Sequence, residues 1–251
     1  ETIPSLSRTK LYALLDKLNV AVPKLYPNYS TRQAMFSKIR SAITKQYGKN
    51  SPEHIQARMR MHVPKTERVE HDKSYRIRVK DRNRNRYVFH YREHVLPLVK
   101  KFESDDWRQL TFALLLASGL RPIELLYIGD FKADPESNCT LIVTGFAKSR
   151  NAPPTKRPLI HMDAELFIQN VQRLRALLPE KPLVDNQIHP TIRNNMRDNF
   201  KRFVSIPHLQ TIYDLRKLYV ATVYEMSDKS SSLNVFISDI FAHNADDVST
   251  A

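Results

Sequence analysis

At 251 residues the chain is long enough for two small domains, and 40 Lys+Arg against 26 Asp+Glu leave a formal charge of +14. Such an excess calls for a polyanionic partner, nucleic acid before a membrane surface. A single cysteine, Cys139, excludes an internal disulfide framework, and the four glycines form no phosphate-cradling loop, which argues against a nucleotide-driven enzyme.

Residues 1–62 read as a small helical domain. Leu11, Leu14, Leu15 and Leu18 recur at helical spacing, with Pro23 and Pro27 placed to break the chain after them. Ser30 and Gln33 form a capping box ahead of a second helix bearing Ile39 and Ile43, and Ser51-Pro52-Glu53 starts a third. Lys38, Arg40, Lys45, Arg58 and Arg60 suit either a solvated bundle or a DNA-clamping domain.

Residues 63–75 are charged and poor in apolar side chains, which predicts a linker. Arg76, Arg78, Lys80, Arg82, Arg84 and Arg86 then fall at every second position. In an extended segment alternate side chains share a face, so a strand fading into an arm would present all of them to a DNA backbone. A solvated charged loop is the alternative. His90-x-x-Glu93-His94 matches a zinc-peptidase pattern, but no second motif supports metal chemistry, and Val88, Val95 and Leu98 mark a helix face instead. Neither a metal nor a cofactor is expected.

Leu110 to Leu116 predicts a core helix opened by Ser104, Asp105 and Asp106. The most apolar run, Leu110 to Leu120, is too short to span a bilayer, and the N-terminus reads as lacking a signal peptide, so a cytoplasmic protein is expected. Gly119 supplies a left-handed stop and Pro122 opens the next helix, placing Arg121 at a corner beside free helix-start N–H groups, a phosphate site in the making. Cys139 to Ala147 reads as a strand with Pro158-Leu159-Ile160 as its partner. A polar hairpin tip carrying Lys148, Arg150 and Lys156 lies between them. Residues 163–180 and 191–204 are helical, the second strongly basic. On a further helix from Thr211, Tyr213, Arg216 and Lys217 are spaced to converge. An apolar helix from Asn234 ends at His243.

Ser118-Gly119-Leu120-Arg121-x-x-Glu124-Leu125 resembles the first arginine motif of the tyrosine recombinases. Lys148 at a strand end, Tyr213-x-x-Arg216 and Ala242-His243 follow in that superfamily's order and spacing. Most members carry His or Lys where Tyr213 stands. Tyrosine there, with Gly145-Phe146-Ala147-Lys148 and the run from His243 to Ala251, makes the chain similar to the telomere resolvases (protelomerases), of the bacterial type.

The resemblance implies a mainly α fold with a small antiparallel β-sheet or hairpin. A helical core-binding domain with its linker (1–75) would precede a tyrosine-recombinase-type catalytic domain (76–251). It implies a cytoplasmic, nucleoid-associated bacterial enzyme that acts as a homodimer on double-stranded DNA bearing an inverted repeat and closes hairpin ends through a 3′-phosphotyrosyl bond. Arg121, Arg216, His243 and the Tyr213 hydroxyl would hold the phosphate, because an ordinary phenol keeps its proton to about pH 10 and makes a poor general base. Lys148, with Lys156 as fallback, would protonate the leaving oxygen. Arg76 to Arg86, Arg150 and Lys156 would contact DNA. Two departures stand out: Ala242 replaces the usual Gly, and the nucleophilic tyrosine is expected just beyond Ala251. An ordinary recombinase or integrase, a type IB topoisomerase and a non-catalytic DNA-binding protein on the same scaffold remain alternatives.

Overall fold

The computed structural model describes residues 6–84, 89–147 and 153–241, and the chain divides by compactness into residues 1–86 and 87–251. The first unit is a set of four helices: α1 (Arg8–Leu25), α2 (Tyr29–Tyr47), α3 (Pro52–Arg60) and α4 (Lys65–Arg84). Leu11, Leu15 and Val22 of α1 meet Phe36 and Ile43 of α2, Ala57 of α3 and the connecting Met61 and Val63. Ser51 caps α3 by accepting the His54 amide at 3.1 Å, with Pro52 at the first helical position. Helix α2 begins earlier than the expected capping box. Asn28, not Ser30, takes the cap, accepting the Ser30 and Thr31 amides at 3.0 and 3.3 Å. Helix α1 carries Pro23 in its final turns, so Pro27 alone lies beyond its end.

Helix α4 overturns two expectations. Residues 65–75 are helical, not irregular, and the cations from Arg76 to Arg84 do not line an extended arm: one helix covers Lys65–Arg84. Lys, Arg and Glu are good helix formers, and Arg68 with Asp72 makes an i,i+4 ion pair at 3.9 Å. Every second residue of a helix is turned by about 200°, so alternating cations spread around the cylinder instead of sharing a face. Arg76 is exposed on it. The side chains of Arg78, Lys80, Arg82 and Arg84, and all of Arg86, lie outside the described residues. The start of α4 is tied to α2 by an Arg32–Glu67 ion pair and by Tyr29 stacked on His71 at 4.2 Å.

In the second unit a π-turn at Tyr91–Val95 leads into the short helix α5 (Leu96–Val99). Helix α6 (Trp107–Ser118) follows, capped by Asp106, and every residue from Leu110 to Ser118 is buried. Around it pack α5, α7 (Ala164–Leu177), α8 (Pro190–Phe203) and α9 (Asp214–Met226). A three-stranded antiparallel sheet runs in the order β1 (Asp130–Asp134), β2 (Ser137–Thr144), β3 (Thr155–Pro158). Helix α10 (Leu233–Phe241) lies against α9 and β3. The mainly helical architecture with a small sheet is the one expected, but β3 starts at Thr155 and not at Pro158. Leu141 faces Arg157 and Val143 faces Thr155 across the ladder, and all four are buried. Strand β1 has no β-branched residue to signal it; Phe131 and Ala133 face inward, Phe131 meeting Phe167 of α7 edge-on at 5.7 Å. Among the described residues no helix is long and apolar enough to cross a membrane.

Candidate active site

The site begins where α6 stops. Gly119 ends the helix at φ +62°, the left-handed conformation, and a Cβ there would lie 2.1 Å from the Tyr219 ring. Pro122 opens the next helical turn with Arg121 at its cap. Glu124 reaches back three residues, accepting the Arg121 amide at 2.9 Å and its guanidinium at 2.6 Å, and also the Ala147 amide at 3.3 Å. This is the reach of a capping box with an arginine side chain added. The Arg121 amide at this helix start is therefore held by Glu124. The backbone carrying Glu124 is braced in turn. It passes through a π-turn at Glu124–Ile128, and Arg175 of α7 donates to the carbonyls of Leu125, Glu124 and Gly129 at 3.1, 3.3 and 2.7 Å.

Helix α9 brings the second arginine to this corner. Its start is set by Asp214, which accepts the Gln210 and Thr211 amides at 3.0 and 2.9 Å. One turn in, Arg216 points to the core side, donating to the Gly119 carbonyl at 2.8 Å and lying 4.0 Å from the Glu124 carboxylate. Its guanidinium sits 3.4 Å from the centre of the Phe241 ring, and its Nη2 is buried with no hydrogen-bond partner among the described residues. A third arginine, Arg157 of β3, is fully buried, and among the described residues no guanidinium nitrogen of it makes a hydrogen bond. Its neighbours are the Phe241 and Phe146 rings, at 5.2 and 5.8 Å. The buried Tyr219 donates to the Pro158 carbonyl at 2.8 Å, tying α9 to β3.

The charges do not balance. Burial alone would raise Glu124, but attraction to Arg121 and Arg157 and the hydrogen bonds from Arg121 hold it below the usual carboxylate range. Burial, then repulsion from Arg157 and Arg121, pulls Arg216 down to about 8, with Glu124 opposing. Burial likewise pulls Arg157 down. Among the described residues three guanidinium groups thus share one carboxylate in a low-dielectric corner, and an anion beside the partly exposed Arg121 would relieve the repulsion. Planar arginine forks meeting a tetrahedral oxyanion fit a phosphate group best.

Not every predicted residue arrives here. Tyr213, Arg216 and Lys217 do not converge: Tyr213 precedes the first turn of α9 and is 63% exposed, and Asp214 captures Lys217 at 2.7 Å. The Tyr213 ring instead faces solvent from the helix cap, while Arg216 turns to the core side. Lys156 stands on the opposite face of β3 from Arg157, where Asp134 at 3.0 Å and Glu136 neutralise it. It does not join the arginine cluster. Lys148, Arg150 and His243 lie outside the described residues. His94 accepts the His90 amide at 3.0 Å, and among the described residues no group of three metal-ligating side chains forms.

Residues 85–251 match the family model described as the telomere resolvase ResT/TelK catalytic domain. The chain belongs to this family. Solved structures place the resolvase fold over nearly the whole sequence. The protelomerase TelA covalently complexed with substrate DNA superposes with a TM-score of 0.79 at 19% identity, over 98% of this chain and 81% of that one. A TelA mutant complexed with DNA hairpin product gives the same values. Protelomerase TelK complexed with substrate DNA has a TM-score of 0.59 at 17% identity, over 94% of this chain and 56% of that one. No curated protein matches the sequence.

The first unit of this resolvase has a cationic surface of its own. A cleft of about 700 Å³ is lined by Arg40, Lys49, Arg58, Lys65 and Arg68, together with His54, His62 and the hydroxyls of Ser37, Ser41 and Thr44. None of its described lining residues is acidic. Two members of the active-site cluster escape the sequence reading. Glu124 is a named position of the motif but is given no role there, and Arg157 falls one residue outside the predicted strand. Placed at an inward position of a strand starting at Thr155, Arg157 would have declared itself.

Proposed function

We propose that this resolvase cleaves and rejoins duplex DNA, converting replicated telomere junctions into covalently closed hairpin ends through a 3′-phosphotyrosyl intermediate. The observation that carries the reading is the convergence of Arg121 and Arg216 on Glu124 with more positive charge than that carboxylate neutralises. In this mechanism the two arginines hold the non-bridging oxygens of the scissile phosphate and stabilise charge gathering there as phosphorus becomes pentacoordinate. The exposed Tyr213 hydroxyl and His243 add hydrogen bonds. A tyrosine following Ala251 attacks phosphorus, its P–O bond forming as the bond to the 5′-oxygen breaks, and Lys148 passes a proton to that oxygen. Each freed 5′-hydroxyl then attacks the phosphotyrosine of the opposite strand, releasing the tyrosine and closing a hairpin.

Two copies on an inverted repeat would satisfy the two-fold symmetry of this reaction. The helices of residues 1–86 would serve as the DNA-clamping domain, and their acid-free cationic cleft supports a phosphate-backbone contact. The test uses the full-length protein, continuing past Ala251, and a duplex bearing an inverted repeat, with no metal or nucleotide added. Snap-back products on a denaturing gel, preceded by a protease-sensitive adduct, are expected. An adduct with joined or relaxed duplexes and no hairpins would favour a recombinase or topoisomerase. Tight binding with neither product would leave a DNA-binding protein.

A further inference from the structure

We infer that Arg157 is a positioning residue for this reaction: a buried third cation that orients the Glu124–Arg216 pair and biases the site toward the doubly charged transition state. The inference rests on the reading above. Its geometric basis is the shared environment. Arg157 and Arg216 lie against the same Phe241 ring, at 5.2 and 3.4 Å, while Tyr219 ties their strand and helix together through the Pro158 carbonyl.

The residue is unexplained by packing alone. A guanidinium with no hydrogen bond and no exposed surface is costly to bury, and an apolar side chain of similar size would fill the space without that cost. Nor can it touch DNA directly, since its whole surface is covered. What remains is its charge. Among the described residues, Arg121, Arg157 and Arg216 against Glu124 leave two uncompensated positive charges. The phosphodiester carries one negative charge in the ground state and two as a pentacoordinate phosphorane. A fixed excess of two charges therefore favours the transition state over the bound substrate, the condition for raising rate rather than affinity. Arg216 keeps Nη2 unpartnered in that field, and the Gly119 carbonyl and Glu124 hold the rest of its fork.

The test compares R157M, R157K and R157Q in the full-length protein on an inverted-repeat duplex. It measures melting temperature, DNA Kd and the single-turnover rate of adduct formation. The expected result for R157M is a melting temperature at or above wild type, unchanged Kd and an adduct rate lower by about 10- to 100-fold, with R157K recovering most of it. An adduct rate equal to wild type in R157M, or a rise in Kd as large as the fall in rate, would overturn the inference. Should R157M lose its cooperative melt, the R157K and R157Q pair takes its place, being polar alike and different in charge. A slower adduct rate in R157Q at matched melting temperature and Kd supports the inference, and equal rates overturn it. Absence of any adduct from the wild-type protein would instead strike at the function proposed above, so the two failures are distinguishable.

Discussion

Replacing Glu124 by Gln tests the electrostatic core of the site without changing its shape. Gln keeps an acceptor for the Arg121 amide, now 2.9 Å from the carboxylate, but removes the negative charge that, among the described residues, faces Arg121, Arg157 and Arg216. Glu124 is 1% exposed, so water cannot replace it. Removing one partner of a buried pair costs about 3–5 kcal/mol, and the retained hydrogen bond argues for about 3. At about 2–4 °C per kcal/mol for a domain of this size, E124Q should melt about 6–12 °C below wild type. The pH dependence follows from the sign of the shift. Glu124 sits below its ordinary value in the fold, so its contribution is complete above the normal carboxylate range and is lost as pH falls through its lowered value. The gap between wild type and E124Q should therefore close in acid. Differential scanning calorimetry across pH reads both effects. An E124Q protein that melts with wild type at neutral pH, or a gap that widens in acid, would refute the reasoning.

Three further substitutions probe separate links. G119A forces a side chain into a left-handed position against the Tyr219 ring and should cost about 2–4 kcal/mol in thermal unfolding; a harmless result would mean that α9 yields easily there. Y213F should leave the melting temperature alone, because that ring is 63% exposed, while slowing cleavage about tenfold if the hydroxyl hydrogen-bonds the phosphate; an unaltered rate would remove Tyr213 from the site. R58A in the cationic cleft should reduce the slope of log Kd against log salt by about 0.9 if it neutralises one phosphate, and an unaltered slope would leave that cleft off the DNA path.

The sequence discloses those parts of the site that depend on short-range pattern. Gly119 and Pro122 mark the corner because left-handed stops and helix-opening prolines are local requirements, and Arg121 follows from them. The motif's Glu124 is equally local, yet its function appears only when its carboxylate is seen turning back onto Arg121. Long-range features stayed hidden. Arg157 belongs to the cluster because Leu141 and Val143 set the strand register across the ladder, and nothing near Arg157 announces that pairing. Alternation misled at residues 76–84, where a period of two in charge, with little apolar content on either face, is as compatible with a solvated helix as with a strand. Ion pairing and propensity decided for the helix. Similarly, the i, i+3, i+4 convergence of Tyr213, Arg216 and Lys217 assumed a helix start that Asp214, by capping Gln210 and Thr211, moves inward.

The central claim is that Arg121 and Arg216 act on the transition state of phosphoryl transfer. The direct measurement is the effect of R216A on single-turnover adduct formation set beside its effect on DNA Kd, in full-length protein on the same inverted-repeat duplex. The account predicts a rate loss of about 1,000-fold or more with Kd changed less than about tenfold, since charge stabilisation is realised mainly as phosphorus becomes pentacoordinate. Parallel losses of rate and affinity would instead make Arg216 an ordinary phosphate contact and contradict it.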